Sequence, residues 1–184
     1  MTLTKTPICN FGEKAKDFNL LSTENKKISL NEVKGENGTL IMFICNHCPY
    51  VKAVIKDIVQ DAKFLETLGI KSVAIMSNDV KKYPEDSFEN MISFSKDHNF
   101  SFPYIIDKTQ RVAKEYDAVC TPDFFGYNKN LELQYRGRIR ELKDLKPVSK
   151  GDSDLRTAMK LVAKSEKGPK NQIPSMGCNI KWFK

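Results

Sequence analysis

The chain has 184 residues, of which 40% are apolar and 29% charged, and its mean hydropathy is −0.46. This composition is typical of one folded domain and excludes an intrinsically disordered chain. The longest apolar run, at residues 40–45, is far shorter than the ~20 residues of a membrane-spanning helix. Residues 1–16 hold no apolar stretch of signal-peptide length. We therefore expect a cytoplasmic protein that does not enter a membrane.

The net charge of +7 is distributed unevenly along the chain. Residues 1–135 contain 17 basic and 18 acidic groups, whereas residues 136–184 contain 13 basic and 5 acidic groups. The basic groups of the second region are spread over a helix and a coil, with no recognised binding motif, so we expect no nucleic acid partner. The pattern favours a solvated surface, with electrostatic attraction of acidic partners as the alternative.

Strands and helices alternate along the chain. Short β-prone runs predict strands at residues 18–20, 28–30, 39–44, 72–76, 104–106, 124–127 and 131–135. Helical spacing of apolar residues predicts helices at 51–68, 84–98, 108–116 and 152–164. This order predicts one α/β domain over residues 1–184, with a basic tail at 166–184. Crossover connections place helices on both faces of a parallel core, and the closing hairpin makes the sheet mixed.

A pair of cysteines lies where a buried strand passes into a helix. Cys45 and Cys48 follow the strand at 39–44, and Pro49 opens the helix. The first turn of a helix carries unpaired N–H groups and a partial positive charge, which lower the pKa of a thiol there. We predict that the N–H groups of His47 and Cys48 stabilise a Cys45 thiolate. Cys48 is then spaced to attack a mixed disulfide on Cys45.

Two other interpretations of this pair stay open. The cysteines are either reactive or reduced core residues, and a strand–helix junction favours reactivity. Alternatively, Cys45, His47 and Cys48 with a distant thiol offer ligands suited to zinc or copper(I). His47 is either a positive neighbour of the Cys45 sulfur or a solvent-exposed loop residue. The redox interpretation, which we favour, needs no metal.

Further segments extend this pattern over essentially the whole chain. They lie at residues 43–51, 77–79, 83–88, 102–104, 120–125, 135–138 and 174–182. With this set the chain resembles the peroxiredoxin-like proteins of the thioredoxin superfamily, which are related to alkyl hydroperoxide reductase and thiol-specific antioxidant. The resemblance implies a thioredoxin-like α/β fold, in which helices flank a mixed central sheet on both faces.

The resemblance also implies roles for single residues. Cys45 corresponds to the nucleophilic cysteine and Cys48 to the resolving one. Pro122 corresponds to a cis-proline that faces the pair, and a cis bond before proline costs only ~0.5–1 kcal/mol. The backbone of Thr121 would then bind a substrate strand.

With this resemblance we also expect Asn46 and His47 to bind substrate. It further implies which molecules react with the protein. These are thiol or disulfide protein substrates and an electron-donor thiol protein, with hydroperoxides as a further substrate class. No organic cofactor is implied.

Two departures from the family pattern bear on the activity. Peroxiredoxins carry proline and threonine seven and three residues before the reactive cysteine, where this chain has Gly38 and Met42. A hydroxyl that helps to hold peroxide is therefore missing at that position. Asn46 and His47 stand where common thioredoxins carry Gly-Pro. A histidine just before the second cysteine resembles the periplasmic disulfide oxidases, and such a residue favours the thiolate and a more oxidising pair.

The remaining cysteines lie outside this pair. Cys120 precedes Thr121, and Cys178 lies in the tail, so both are candidate auxiliary thiols, with packing as the equal alternative. Cys9 lies in an unpatterned segment and is interpreted as incidental.

Among the other polar and aromatic residues, we favour structural roles. Asp86 either accepts a proton near the pair or belongs to a helix start, where acidic residues are favourable; we favour the helix start. Arg136 is interpreted as a solvated strand residue, and Trp182, Phe124 and Phe125 as core residues.

Together these observations predict a thiol–disulfide oxidoreductase that uses Cys45 and Cys48. A thiol peroxidase that reduces hydroperoxides is the enzymatic alternative. A metal-binding or metal-delivery module is the alternative from another class.

Overall fold

A computed structural model describes residues 2–184. Its strands are β1 (Leu3–Lys5), β2 (Asn19–Ser22), β3 (Lys27–Ser29), β4 (Gly38–Phe43), β5 (Ile70–Met76), β6 (Tyr104–Ile106), β7 (Cys120–Thr121), β8 (Asp123–Tyr127), β9 (Leu133–Tyr135), β10 (Leu142–Lys143), β11 (Lys146–Pro147) and β12 (Met176–Asn179). Its helices are α1 (Leu30–Val33), α2 (Pro49–Glu66), α3 (Phe88–Asp97), α4 (Arg111–Glu115) and α5 (Asp154–Ser165), and a 3₁₀ turn covers Pro84–Asp86.

The central sheet has seven strands in the order β3-β2-β6-β5-β4-β8-β9. Strands β4, β5 and β6 are parallel to one another. The outer strands pair antiparallel, with β8 next to β4, β9 next to β8, and β2 between β6 and β3. The predicted mixed sheet with a parallel core is therefore confirmed.

Strand β4 separates the two halves of the core. Leu40 and Met42 pack in one apolar cluster with residues of α2 and α5. Ile41 and Phe43 pack in the other, with residues of α1 and α4. Successive side chains of a strand point to opposite faces, so a strand covered on both sides needs a continuous apolar run. The helices on both faces are thus confirmed.

The C-terminal segment adds a strand that the sequence pattern does not predict. Strand β12 lies between β1 and β7 in a small antiparallel sheet. In its register, Cys178 pairs with Leu3 on one side and with Thr121 on the other. These strands have two to four residues and their partners are distant in the sequence, so local periodicity does not reveal them. Residues 176–179 therefore belong to the folded domain.

Two of the side-chain predictions are wrong. Trp182 is 37% exposed and its ring is contacted by Lys114 rather than buried in the core. Arg136 is buried rather than solvated, and its guanidinium lies 4.4 Å from the ring centroid of Phe125. Phe124 and Phe125 are buried as predicted. Among the described residues, no helix combines the length and apolarity needed to cross a membrane.

Arg136 is held by a buried ion pair. Its guanidinium donates to the Asp123 carboxylate at 3.0 and 3.4 Å, and to the Asp117 carbonyl at 2.6 Å. Burial raises the pKa of Asp123 to about 6, against the opposing effect of Arg136. Asp123 therefore depends on this arginine to remain ionised inside the protein.

Replacing Arg136 tests this dependence. We expect Arg136→Leu to lower the free energy of unfolding by ~3–5 kcal/mol, because it leaves the Asp123 carboxylate buried without its partner. Urea unfolding at neutral pH measures the loss. The control is Arg111→Leu, which removes an exposed i,i+4 pair with Glu115 and should cost no more than ~0.5 kcal/mol. Equal losses in the two variants would contradict the prediction.

Candidate active site

The two cysteines lie at the carboxyl end of β4 and at the start of α2. Cys45 follows β4 by two residues, and Cys48 is the N-cap of α2, with Pro49 at the first helical position. Proline is favourable there because its missing N–H would be unpaired in any residue at that position. Both cysteines have 0% exposure. The predicted strand–helix junction is thus present, but its sulfur atoms are covered.

Thr121 contacts both cysteines. The peptide bond between Thr121 and Pro122 is cis, as the resemblance implied. The Thr121 hydroxyl lies 3.4 Å from the Cys45 sulfur, and the Thr121 carbonyl accepts a hydrogen bond of 3.1 Å from the Cys48 thiol. The structure therefore brings the Thr121-Pro122 segment to the cysteine pair. Its role in binding substrate stays a prediction.

Asp86 organises the loop between the cysteines. Its buried carboxylate accepts hydrogen bonds from the backbone N–H groups of Asn46 and His47, at 2.8 and 3.2 Å. It also accepts from the Asn78 amide at 2.8 Å and lies 2.7 Å from His47 Nδ1. The interpretation of Asp86 as only a helix-start residue is therefore wrong. Its place just beyond the second buried strand was the available signal.

His47 is positioned between Asp86 and Cys45. Its Nδ1 lies 3.9 Å from the Cys45 sulfur, and its ring stacks on Tyr83 with centroids 5.4 Å apart. The hydrogen bond with Asp86 raises the pKa of His47, although partial burial opposes this rise. His47 is therefore a largely buried side chain whose positive form is stabilised beside Cys45, and not a loop residue in solvent.

Asn46 faces the protein interior. Its amide donates to the Glu85 carbonyl at 3.1 Å and its Oδ1 accepts from the Tyr104 hydroxyl at 2.9 Å. These contacts fix the loop that carries the cysteines. A role of Asn46 in binding substrate stays a prediction, since both ends of its side chain are used within the protein.

The protonation of the cysteine pair differs from the sequence prediction. The backbone N–H of His47 donates to Asp86 and not to the Cys45 sulfur. Burial raises the pKa of Cys45 well above its usual range, and its hydrogen bond with Cys48 adds to that rise. The same hydrogen bond lowers the pKa of Cys48 to about 5, against the effect of burial. The pair thus loses one proton readily, and the resulting negative charge is favoured on Cys48 rather than on Cys45, the reverse of the sequence prediction.

The candidate auxiliary thiols have different surroundings. The Cys178 sulfur lies 3.0 Å from the Cys48 sulfur, which makes Cys178 part of the site. The Cys120 thiol donates instead to the Pro122 carbonyl at 3.6 Å, and burial raises its pKa. Cys9 is half-buried near Arg136, and burial raises its pKa to about 11.

The geometry favours a proton over a metal ion at His47. The Cys45 sulfur, His47 Nδ1 and an Asp86 oxygen lie within 4.8 Å of one another. However, the 2.7 Å between His47 Nδ1 and Asp86 is shorter than the separation of about 3.3 Å between two ligands of one tetrahedral zinc ion. The two Asp86 oxygens also accept N–H donors already. The arrangement is that of a hydrogen-bonded pair.

A comparison with protein families now bears on this site. The family profile described as AhpC/TSA matches residues 11–142. The chain belongs to the AhpC/TSA family. The matched residues include Cys45, Cys48, Thr121 and Pro122, whereas Cys178 lies outside them. Family membership and the site together show a thiol-dependent oxidoreductase or peroxidase.

Solved structures of other proteins resemble this chain. An uncharacterized conserved protein from Geobacillus kaustophilus is 38% identical, with a TM-score of 0.94 over 100% of this chain and 97% of that one. A hypothetical protein from Sinorhizobium meliloti is 36% identical, with a TM-score of 0.90 over 98% of both chains. A peroxidoxin from Mycobacterium tuberculosis is 14% identical, with a TM-score of 0.56 over 69% of this chain and 83% of that one. These similarities confirm the thioredoxin-like fold. No curated protein matches the chain significantly.

The charge of Asp86 can be tested with Asp86→Asn. We expect the pKa of His47 to fall, because the amide keeps the shape of the carboxylate but not its charge. Because the pKa of His47 is raised in the folded protein, the His47–Asp86 pair stabilises the fold fully at pH values below the usual histidine pKa of 6.5. This stabilisation disappears as the pH rises through the folded-state pKa of His47. The difference in unfolding free energy between wild type and Asp86→Asn, about 1–3 kcal/mol, should therefore be largest at acidic pH.

Histidine NMR titration and urea unfolding at several pH values measure the two effects. His98, whose ring contacts Phe94, provides the internal reference in the NMR spectra. A His47 pKa that is equal in both proteins would contradict the assignment.

Strand β12 lies against the cysteine pair, and Gly177 allows its close approach. A β-carbon at Gly177 would overlap the Thr121 carbonyl oxygen. We expect Gly177→Ala to displace β12 and to raise the rate of thiol alkylation in the native protein by about 10-fold or more. Gly151→Ala is the control, because that glycine has a φ of +87° but no neighbour within 4 Å. Equal alkylation rates would show that β12 is not the cover.

Proposed function

We propose that the protein is a thiol–disulfide oxidoreductase in which Cys45 forms the mixed disulfide and Cys48 resolves it. The observation that carries this proposal is a pair of adjacent thiols at a helix start that both contact Thr121. A pair that loses its first proton readily supplies a thiolate at neutral pH. The second thiol keeps a proton, which is then available to the leaving sulfur.

The reaction takes two exchange steps. The Cys45 thiolate attacks one sulfur of the substrate disulfide, so that a Cys45–substrate bond forms and the other substrate sulfur leaves as a thiolate. Cys48 then attacks Cys45, the Cys45–Cys48 bond forms, and the second substrate sulfur leaves. The substrate gains two electrons. One proton for its two thiols comes from the cysteine pair and the other from solvent, which took up the first proton of the pair. A donor thiol protein reduces the pair again.

The surroundings of the two sulfur atoms support this division of roles. The Cys45 sulfur faces the His47 ring, whose positive form is favoured by Asp86, and the Thr121 hydroxyl. Both groups favour a negative charge on Cys45 when its proton moves to Cys48. The Cys48 sulfur contacts the Thr121 carbonyl and Cys178. The Cys48 thiol donates to that carbonyl, and this contact favours the transfer of the Cys45 proton to Cys48 that the first attack requires.

Thiol peroxidase activity is the second candidate, because the family includes such enzymes. The Thr121 hydroxyl gives Cys45 a hydrogen-bonding group at 3.4 Å, although Met42 occupies the position where peroxiredoxins carry threonine. Peroxide would oxidise Cys45 to a sulfenic acid, and Cys48 would condense with it to the disulfide and water. Trapping of a sulfenic acid in Cys48→Ser distinguishes this activity from disulfide exchange.

Cysteine variants test the proposed function. We expect Cys45→Ser to lose insulin-disulfide reduction by at least ~100-fold, because the variant lacks the attacking sulfur. Cys48→Ser should accumulate a mixed disulfide at Cys45, which mass spectrometry identifies. Cys9→Ser is the control, since Cys9 lies outside the site, and it should reduce insulin at the wild-type rate.

Two outcomes would contradict the proposal. Equal insulin reduction by wild type and Cys45→Ser would exclude Cys45 as a required group. Trapping at Cys48 in Cys45→Ser, with no trapping at Cys45 in Cys48→Ser, would reverse the two roles.

A further inference from the structure

We propose that Cys178 is a third redox thiol, which takes Cys48 from the Cys45–Cys48 disulfide and returns Cys45 to its reduced form. This inference rests on the proposed function, since the pair must first be oxidised by a disulfide substrate. It assigns to β12 a chemical role in addition to its structural one.

The contact between the sulfur atoms is the first support. The Cys178 sulfur lies 3.0 Å from the Cys48 sulfur, and both residues are at least 98% buried. Cys48 is one of the two cysteines that oxidation of the pair joins in a disulfide. An attacking sulfur therefore already lies beside the sulfur that it must reach, and water is excluded from the exchange.

The backbone around Cys178 fixes this contact. Cys178 pairs with Thr121 of β7 and with Leu3 of β1. Ser175, just before β12, donates its hydroxyl to the Pro122 carbonyl at 2.8 Å and exchanges hydrogen bonds with Thr6. The cysteine is therefore held by strand pairing on both sides.

The far end of β12 is anchored as well. The Lys181 N–H donates to the Asn78 side chain at 2.9 Å, and the Lys181 carbonyl accepts from the Asp79 N–H at 2.8 Å. Asn78 is also a donor to Asp86. The tail is thus tied to the same hydrogen-bond network that shapes the cysteine loop.

The exchange conserves atoms and electrons. The Cys178 sulfur attacks the Cys48 sulfur of the Cys45–Cys48 disulfide. The Cys48–Cys178 bond forms, the Cys45–Cys48 bond breaks, and Cys45 leaves as a thiolate. The proton lost by Cys178 ends on Cys45, so the protein stays oxidised by two electrons throughout.

Oxidation of the pair also makes Cys178 easier to ionise. In the reduced protein, burial raises the pKa of Cys178 to about 12, and its hydrogen bond with Cys48 and the charge of that sulfur add to the rise. A disulfide at Cys48 carries no charge, so these two contributions disappear when the pair is oxidised. The exchange is therefore favoured after the substrate has reacted.

Formation of the Cys48–Cys178 disulfide changes which sulfur atom can react with a substrate. When Cys48 is bonded to Cys178, Cys45 is again a thiol beside His47 and Thr121. The same disulfide ties β12 to the start of α2. The oxidised protein would therefore hold its tail strand covalently over the site while Cys45 becomes able to attack a second disulfide.

The test compares the full-length wild type with Cys178→Ser, Cys45→Ser and Cys120→Ser. Each reduced protein is oxidised with oxidised glutathione and quenched in acid. The remaining thiols are alkylated in denaturant, and the disulfides are mapped by peptide mass spectrometry. Cys120→Ser is the matched control, since Cys120 is buried in the strand that pairs with β12, and its thiol donates to Pro122. Cys178→Ala is the apolar replacement that separates loss of the thiol from loss of stability.

Three results are expected. Wild type and Cys120→Ser contain a Cys48–Cys178 disulfide with an alkylated Cys45. In Cys178→Ser and Cys178→Ala, only the Cys45–Cys48 disulfide forms and Cys45 loses its alkylation. In Cys45→Ser, oxidation produces the Cys48–Cys178 disulfide directly. The redox equilibrium with glutathione should also shift toward the thiol form when Cys178 is replaced, because one of two oxidised states is lost.

The proposal is overturned if oxidised Cys45→Ser lacks the Cys48–Cys178 disulfide, or if Cys45 is alkylated equally in wild type and Cys178→Ser. The proposed function would be contradicted by a different measurement, namely insulin reduction by Cys45→Ser at the wild-type rate. The two failures are therefore distinguished by separate measurements on the same variant.

Discussion

The position of Thr121 is the constraint on which the candidate site depends. Its hydroxyl contacts Cys45, its carbonyl accepts a hydrogen bond from Cys48, and its backbone pairs with Cys178. The same carbonyl leaves so little room that only a residue without a β-carbon fits at Gly177. One residue thereby contacts three cysteines that come from two separate parts of the chain. Any movement of this segment changes all three contacts together, so access to the thiols and their mutual reactivity are linked.

The buried carboxylate of Asp86 supports this arrangement from the other side. Removing a carboxylate from water is costly unless hydrogen bonds and positive charge replace the lost hydration. Here the replacement comes from two backbone N–H groups of the cysteine loop, the Asn78 amide and the His47 ring. These bonds outweigh the effect of burial and lower the pKa of Asp86. The loop is therefore ordered by a negative charge, whose nearest positive partner, His47, lies beside Cys45. The charge thus favours the protonated histidine and, through it, a thiolate.

The sequence predicts most of the sheet and the cysteine pair, because both depend on local patterns. Strand β6 agrees residue for residue, and the long helix agrees within two residues at each end. The role of Asp86 and the strand at 176–179 are not predictable in this way. Asp86 resembles an ordinary helix-start acid until the fold brings His47 to it, and β12 exists only because β1 and β7 flank it. The exposure of Trp182 is not predictable either, because the sequence around an aromatic residue in a tail does not indicate whether the rest of the protein covers it. The lowered pKa expected for Cys45 depends on which N–H groups remain unpaired, and Asp86 takes the one at His47.

The uneven charge along the chain has a structural explanation in these contacts. Three arginines of the basic region form ion pairs with acidic residues of the near-neutral region, namely Arg136 with Asp123, Arg140 with Asp57 and Arg156 with Asp61. Asp61 and Asp123 are almost fully buried, and so are two of the arginines. A buried acid needs its partner wherever that partner lies in the sequence. Part of the positive excess after residue 135 therefore neutralises acids of the preceding sheet and helix, and fastens the C-terminal third of the chain, with β12 and Cys178, onto the domain that carries the cysteine pair.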